Sequence, residues 1–323
     1  MKKSFLFALV LLLLASCRYK DLCYDHNHGT QNNLSLELNL KLDLDIDLEV
    51  SEEAHTKITV PTYMKVCFYD PLSGVLQKTD FVGPYGGPLH VNPGSYRMVV
   101  YSFDTEWTWI RGEHEIDSLE AYTSDITAQM SPKFLAFSTN KEDAPGPIIY
   151  TPDHLLVTQK DVEIPPYTLE TQVITITASA ATVVETYGFE VTNVTGLEYI
   201  ASAEAFVTNQ ARSTFFGRGE KNTEPATVYF PVQVSLKENK LKTTFNTFGK
   251  LPGDSQSYLH IVITDTEGKV YTITEDITEQ FEDPGHEIVI DEAIDIPKPE
   301  TVGGGIAPTV EDWEDIITDV PIG

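Results

Sequence analysis

The clearest pattern in the chain is an alternation of apolar and polar residues from Leu34 to Val50, LSLELNLKLDLDIDLEV. Every even-numbered position holds Leu, Ile or Val, and every odd-numbered position holds a polar or charged residue. Because successive side chains of a β-strand point to opposite faces, this run predicts a strand with one buried and one solvated face. At roughly 3.3 Å per residue the run could extend roughly 55 Å, so the strand must bend or serve two sheets in succession.

Shorter runs of the same kind predict further strands. Three pairs of runs are each separated by a short turn: residues 63–69 and 75–82, 89–91 and 95–103, and 258–265 and 269–277. Each pair predicts a β-hairpin, because Gly, Pro and Asp in the turns supply the torsions that a reversal needs. The alanine-rich segment Leu197–Val207 is instead predicted to form a short helix.

The strand pattern also divides the chain. Its 323 residues suffice for two domains of ordinary size. Pro165 and Pro166 cannot donate ladder hydrogen bonds and stiffen a linker, so we place a domain boundary there. The sequence therefore predicts an all-β protein with two antiparallel β-sandwich domains in tandem, residues 34–165 and 166–297. Residues 298–323 are predicted to form a flexible acidic tail, in which Gly303–Gly305 provide a flexible joint.

The N-terminus has the character of a lipoprotein signal peptide over residues 1–16. Lys2 and Lys3 precede an apolar run that is much shorter than the roughly 20 residues needed to span a bilayer. The following Leu14-Ala15-Ser16-Cys17 resembles the lipobox of bacterial lipoproteins, which implies cleavage before Cys17 and its acylation, including palmitate. Residues 17–33 would then be a lipidated tether. The alternative is an ordinary secretory signal with an incidental cysteine.

The residue after the cysteine bears on localisation. Arg18 stands where an aspartate would indicate retention at the inner membrane. We therefore expect a lipid-anchored chain at the outer membrane, exposed at the cell surface.

Composition excludes several classes of partner and activity. The chain has 22 Lys and Arg against 49 Asp and Glu, a formal net charge of −27. This charge repels phosphate backbones, so no nucleic-acid partner is expected. The histidines are scattered, and the glycines form no phosphate-binding loop. We therefore expect no enzyme activity and no cofactor.

The cysteines beyond Cys17 leave alternatives open. Cys23, His26 and His28 are residue types that ligate zinc or copper, but no fourth ligand lies nearby in the sequence. We therefore prefer a polar spacer and expect no metal. Cys23 could instead form a disulfide bond with Cys67 in an oxidising periplasm.

Two groups of aromatic and apolar residues are candidate binding sites. Trp107 and Trp109 lie two apart, which places both on one face if they share a strand. Exposed, they could form a platform for sugar rings; the alternative is that they cap the domain core. In the tail, Trp313, Ile316 and Ile317 are costly to leave in water. This segment could fold back as an amphipathic helix, or it could add as a strand to another subunit.

Several motifs together resemble the fimbrillin and fimbrial-anchor lipoproteins of Bacteroidales: the lipobox at Cys17, the turn and strand at Asn92–Tyr96, the segments Val194–Glu198 and Ala203–Ala205, and the late segments Ile261–Gly268 and Asp276–Gln280. The resemblance implies two transthyretin-like β-sandwich domains. It also implies partners among fimbrial subunits, joined by strand complementation, in which a strand of one chain fills a groove in its neighbour.

The resemblance also bears on the first strand. Shaft subunits of the family are cut at an arginine near this strand, but here no arginine occurs from Tyr19 through Tyr96. The leucine strand should therefore stay attached, as suits an anchor. We expect a non-catalytic anchor or minor subunit of a fimbria, active in pilus assembly and cell adhesion. The alternative is a surface glycan-binding lipoprotein that uses Trp107 and Trp109.

Overall fold

The computed structural model describes residues 32–43, 57–129, 146–166, 173–251, 253, 255–282, 286–291 and 293–298. The signal peptide, Cys17 to His28, and the tail residues Trp313, Ile316 and Ile317 lie outside these ranges, so what the sequence predicts for them stays a prediction. The described residues form strands and four 3₁₀ helices, Ile116–Ser118, Thr127–Gln129, Leu197–Tyr199 and Gln280–Glu282. The predicted all-β fold is confirmed. No helix in these ranges is long and apolar enough to cross a membrane.

Within the described ranges, ten strands precede residue 183: β1 Asn32–Leu40, β2 Met64–Tyr69, β3 Leu76–Val82, β4 Gly86–Val91, β5 Gly94–Ser102, β6 Trp109–Arg111, β7 Glu120–Tyr122, β8 Ile148–Tyr150, β9 Leu156–Ile164 and β10 Ile174–Thr182. Seven of them form one sheet in the order β3-β2-β5-β9-β10-β1-β4. Side chains from the β3-β2-β5-β9 section and from the β10-β1-β4 section share one buried cluster. This sheet therefore folds over its own core.

The alternating pattern of β1 has the predicted consequence. Leu34, Leu36 and Leu38 are buried, whereas Glu37 and Asn39 on the other face are exposed. The strand lies inside the sheet, parallel to β10 and antiparallel to β4. It ends at Leu40, and residues 44–56, which include the rest of the predicted long strand, lie outside the described ranges.

Twelve strands complete the chain: β11 Glu185–Val191, β12 Val194–Thr195, β13 Ile200–Ala211, β14 Ser213–Phe215, β15 Glu220–Lys221, β16 Pro225–Pro231, β17 Gln233–Ser235, β18 Lys240–Thr247, β19 Tyr258–Asp265, β20 Val270–Asp276, β21 Glu287–Ile290 and β22 Ile294–Asp295, all within the described ranges. Sheets β20-β19-β13-β16-β8 and β17-β18-β11-β21 enclose a second core. In that core the ring of Phe245 stacks on that of Phe230, with centroids 4.1 Å apart.

Strand pairing crosses the position of the predicted domain boundary. Strand β10 follows Pro165 and Pro166 but pairs with β9 and β1. Strand β8 precedes them but pairs with β16. A further sheet, β15-β14-β7-β6, combines strands from both halves of the chain. The division at residue 165 stays a prediction, and the described sheets exchange strands across it.

The pairing partners also differ in part from the predicted ones. The hairpins β2–β3 and β19–β20 are confirmed. Strands β4 and β5 do not form the predicted hairpin, because β4 pairs with β1 while β5 pairs with β2 and β9. Four of the described strand pairs are parallel, so the sheets are mixed rather than purely antiparallel.

The predicted helix at Leu197–Val207 is wrong. A short 3₁₀ turn, Leu197–Tyr199, leads into β13, the central strand of the five-stranded sheet. Its Ala203, Ala205 and Val207 alternate into the core between β16 and β19. Alanine has a high helix propensity, but pairing on both sides and burial of one face outweigh this weak preference.

Candidate functional site

An open cleft of about 220 Å³ lies at one end of the seven-stranded sheet. Its sides come from the sheet strands β2 and β3 and from the chain that follows β5. We call it the aromatic cleft and define it by Lys65, Phe81, Phe103, Trp109 and Glu113. Strand pairing brings two of these together, because Phe81 of β3 lies opposite Lys65 of β2.

Three aromatic side chains at the cleft remain in contact with solvent. Phe81 is 53% exposed, Phe103 41% and Trp109 55%. The rings of Phe81 and Phe103 meet edge to face, with centroids 5.4 Å apart. Large aromatic side chains are usually buried on folding, so three exposed ones around a single concavity mark it as a candidate binding surface.

A charged pair lies beside these rings. The Nζ of Lys65 is 2.5 Å from Oε1 of Glu113. The same oxygen accepts a hydrogen bond from the hydroxyl of Tyr101, which is fully buried. The backbone carbonyl of Glu113 accepts a hydrogen bond of 3.1 Å from the hydroxyl of Tyr69. Buried tyrosines thus fix the position of the carboxylate.

The ionisation of this group is set by competing effects. Burial would raise the pKa of Glu113, but the hydrogen bonds from Lys65 and Tyr101 outweigh it, so the pKa is lowered. Burial raises the pKa of Tyr101 far above its ordinary value. At neutral pH Glu113 is therefore a carboxylate, and it lies beside the neutral phenol of Tyr101.

The two candidate tryptophans do not share a strand. Strand β6 begins at Trp109, and Trp107 precedes it in a loop. The backbone N–H groups of Trp107 and Thr108 donate to the carboxylate of Asp153, which holds this loop. Trp107 is partly buried and its ring packs on Tyr150, with centroids 4.8 Å apart. Of the two tryptophans only Trp109 lines the aromatic cleft, and the premise that both lie in one strand is wrong.

The remaining cysteine of the described chain is a free thiol. Cys67 has no exposed surface, and its sulfur lies 3.8 Å from the hydroxyl of Tyr101. Burial raises its pKa, so this thiol is neutral at physiological pH. Its candidate partner Cys23 lies outside the described ranges. Within those ranges no group of three or more His, Cys, Asp or Glu side chains could hold a metal ion.

Sequence reasoning missed most of the cleft. Of its members only Trp109 is a candidate from the sequence, because it lies two positions from a second tryptophan, Trp107. Phe81 and Phe103 read as ordinary strand residues, and Lys65 and Glu113 are 48 positions apart. These residues come together only in the folded chain, where β3 pairs with β2 and the segment 103–113 lies beside both strands.

Comparison with known proteins places this all-β chain in a family. A family model described as "Domain of unknown function (DUF5119)" matches residues 16–231, about two thirds of the sequence. The chain therefore belongs to the DUF5119 family.

One relative and one solved structure extend the comparison. A Bacteroides ovatus protein named "Putative fimbrium anchoring subunit Fim4B" is 26% identical over 290 residues, which cover 79% of this chain and 83% of the relative. The crystal structure of a "putative adhesin" from Bacteroides ovatus superposes with a TM-score of 0.57 at 22% identity, covering 88% of this chain and 98% of that one. The second likeness shows a common fold. The predicted resemblance to Bacteroidales fimbrial-anchor proteins is confirmed.

Proposed function

We propose that this chain is a non-catalytic anchoring subunit of a surface fimbria. The observation that carries the proposal is the alignment with the Bacteroides ovatus relative, whose name describes a fimbrium anchoring subunit and which matches along most of both chains. The described residues add a compatible architecture. Their sheets build two extensive buried cores and leave edge strands such as β3 and β20 open to further pairing.

The anchor in this proposal is a lipid on Cys17. The lipobox supplies the cysteine, and the acyl chains hold the subunit at the outer membrane with the rest of the chain on the cell surface. A single acyl chain gives only marginal membrane binding, and a diacylated cysteine gives stable anchoring. An anchoring subunit needs this because it must hold the fimbria against detachment.

The position of β1 supports a subunit that keeps its own first strand. Leu36 is 1% exposed and lies between the paired strands β10 and β4. Removing β1 would uncover the apolar side chains beneath it and break two ladders of backbone hydrogen bonds. A subunit with this strand in place offers no groove there, and it must join its neighbour by another segment.

For that contact we propose strand complementation by the tail. Trp313, Ile316 and Ile317 would occupy apolar pockets of the next fimbrial subunit, while the backbone pairs with a sheet edge. The glycines Gly303–Gly305 would allow this segment to move independently of the strands that precede it.

Replacing Cys17 with alanine tests the anchor. Without the thiol there is no acceptor for the diacylglyceryl group, so the variant should accumulate as an unacylated, full-length precursor. Cells that carry it should lose fimbriae from their surface or release them into the medium. Labelled palmitate, fractionation and electron microscopy measure these outcomes. A Cys67→Ala variant is the matched control, because its thiol is buried and should take no label. Palmitate incorporation and fimbriation equal to those of the wild type would reject the anchor proposal.

Truncation after Lys298 tests the tail. We expect loss of co-purifying fimbrial subunits with an unchanged melting temperature, because the described cores end before this point. The triple replacement of Trp313, Ile316 and Ile317 with serine should have the same effect. Neutralising the nearby acids with Glu311→Gln and Asp312→Asn should not. A lower melting temperature of the truncated protein would indicate that the tail packs on its own chain. Normal assembly of the truncated protein would exclude the tail as the contact between subunits.

A further inference from the structure

The aromatic cleft combines two features that the fimbrial role does not use. One is the set of exposed rings of Phe81, Phe103 and Trp109. The other is the fixed ion pair of Lys65 and Glu113 beside them. Covering an exposed aromatic surface with an apolar face lowers the free energy, because apolar area is removed from water. The face of an aromatic ring also attracts the partly positive hydrogens of C–H groups.

The ion pair keeps hydrogen-bonding capacity for a ligand. Within the described residues, both hydrogen bonds to the Glu113 carboxylate end on Oε1, which leaves Oε2 able to accept. An ammonium has three donors, and Lys65 uses one of them on Glu113. A donor and an acceptor therefore stand side by side. Their positions are fixed because the buried Tyr101 and Tyr69 hold Glu113.

We propose that the aromatic cleft binds one sugar ring of a neutral or amino-sugar glycan. A pyranose has an apolar C–H face, which suits the rings, and hydroxyl groups that both donate and accept, which suits Lys65 and Glu113. The volume of about 220 Å³ accommodates one such ring and is small for a folded segment of a protein partner. The net charge of −27 repels anionic ligands, so we expect weaker binding of sulfated or uronic-acid chains.

This site differs from the tryptophan pair that the sequence suggested. Trp109 stays in it, Trp107 does not, and Phe81 and Phe103 supply the remaining aromatic surface. The proposal does not depend on the fimbrial role, because an anchoring subunit and a free surface lipoprotein would bind sugar in the same way.

The test is a titration of the full-length chain, purified in a detergent without sugar groups. Cellotriose, mannotriose and chitotriose serve as probes, and saturation-transfer NMR on the sugar protons reports binding without relying on tryptophan signals. At least one probe should bind. Trp109→Ala should weaken the affinity for that probe about tenfold or more. The free energy of one lost stacking contact is comparable to the free energy that corresponds to a tenfold change in affinity. Glu113→Gln and Phe103→Ser should weaken it as well.

The matched control is Tyr85→Ala, which removes another exposed aromatic ring that does not line the cleft. This variant should bind as the wild type does, and circular dichroism melts should show that Trp109→Ala is folded. The absence of binding by all three probes at millimolar concentration would overturn the proposal. So would equal weakening by Tyr85→Ala. Capture of an apolar aromatic peptide that depends on Trp109 and is unaffected by all three sugars would identify a protein-docking surface instead, and it too would overturn the proposal.

Discussion

Replacing Leu36 with alanine should lower the free energy of unfolding by about 2–5 kcal/mol, the usual cost of truncating a buried leucine. Leu36 is 1% exposed in the middle of β1, and its strand has paired neighbours on both sides. The replacement would leave a cavity that cannot easily collapse, because backbone hydrogen bonds hold the strands on both sides of β1 in place. Equilibrium unfolding in urea, followed by far-UV circular dichroism, measures the change.

The matched control is one residue away. Glu37 lies on the exposed face of the same strand, so Glu37→Ala should change the free energy of unfolding by no more than about 0.5 kcal/mol. The two variants share the same strand and the same pairing, and they differ only in which face they alter. Equal effects of both replacements would show that β1 is not part of the folded core, and they would remove the support it gives to an attached first strand.

The contrast between Leu36 and Glu37 also indicates what kind of structure a sequence can predict. Alternation is local, so it identifies β1 and the hairpins β2–β3 and β19–β20, whose turns are short and rich in turn-forming residues. It does not identify the partner of a strand. The turn at Asn92-Pro93-Gly94 predicts that β5 returns on β4, but β4 pairs with the distant strand β1, and β5 pairs with β2 and β9.

Non-local pairing explains the other differences. Nothing in the composition of β10 indicates that it lies parallel to β1, because the paired residues of the two strands are 140 positions apart in the sequence. Ala203 and Ala205 favour a helix locally, and only the flanking strands β16 and β19 make an extended conformation better. The aromatic cleft obeys the same rule. Trp109 is conspicuous in the sequence, while the ion pair beside it exists only after folding.

The second large effect on stability is expected at a buried carboxylate that contacts residues from both halves of the chain. Glu120 of β7 is 5% exposed, and its Oε2 lies 2.6 Å from Nε of Arg111 on β6. Its Oε1 accepts a hydrogen bond from the hydroxyl of Ser213 on β14. Burial would raise the pKa of Glu120, but the hydrogen bonds from Arg111 and Ser213 outweigh it, so the pKa is lowered. The carboxylate is therefore charged at neutral pH because these donors hold it.

Arg111→Met should remove about 2–3 kcal/mol of stability at pH 7, because a buried carboxylate loses its charged partner. The figure stays below that of a fully buried pair because the Arg111 side chain is 56% exposed. The control is Arg212→Met, whose partner Glu224 is itself exposed; losing that surface ion pair should cost no more than about 1 kcal/mol.

The pH dependence separates lost charge pairing from lost packing. In the wild type the pKa of Glu120 is lowered, so its contribution is present above the pKa of an unfolded glutamate and is lost as pH falls through the folded value. In Arg111→Met the unpaired carboxylate should have a raised pKa and take up a proton as pH falls. The stability gap between the two proteins should therefore be widest near pH 7 and narrow towards pH 4. Adding Glu120→Gln to the variant should recover part of the loss at pH 7, because a neutral amide needs no counter-charge. A gap that stays constant across this range, with no recovery in the double variant, would mean that Arg111 stabilises the β6–β7–β14 junction by packing on Tyr122 and not through the buried charge.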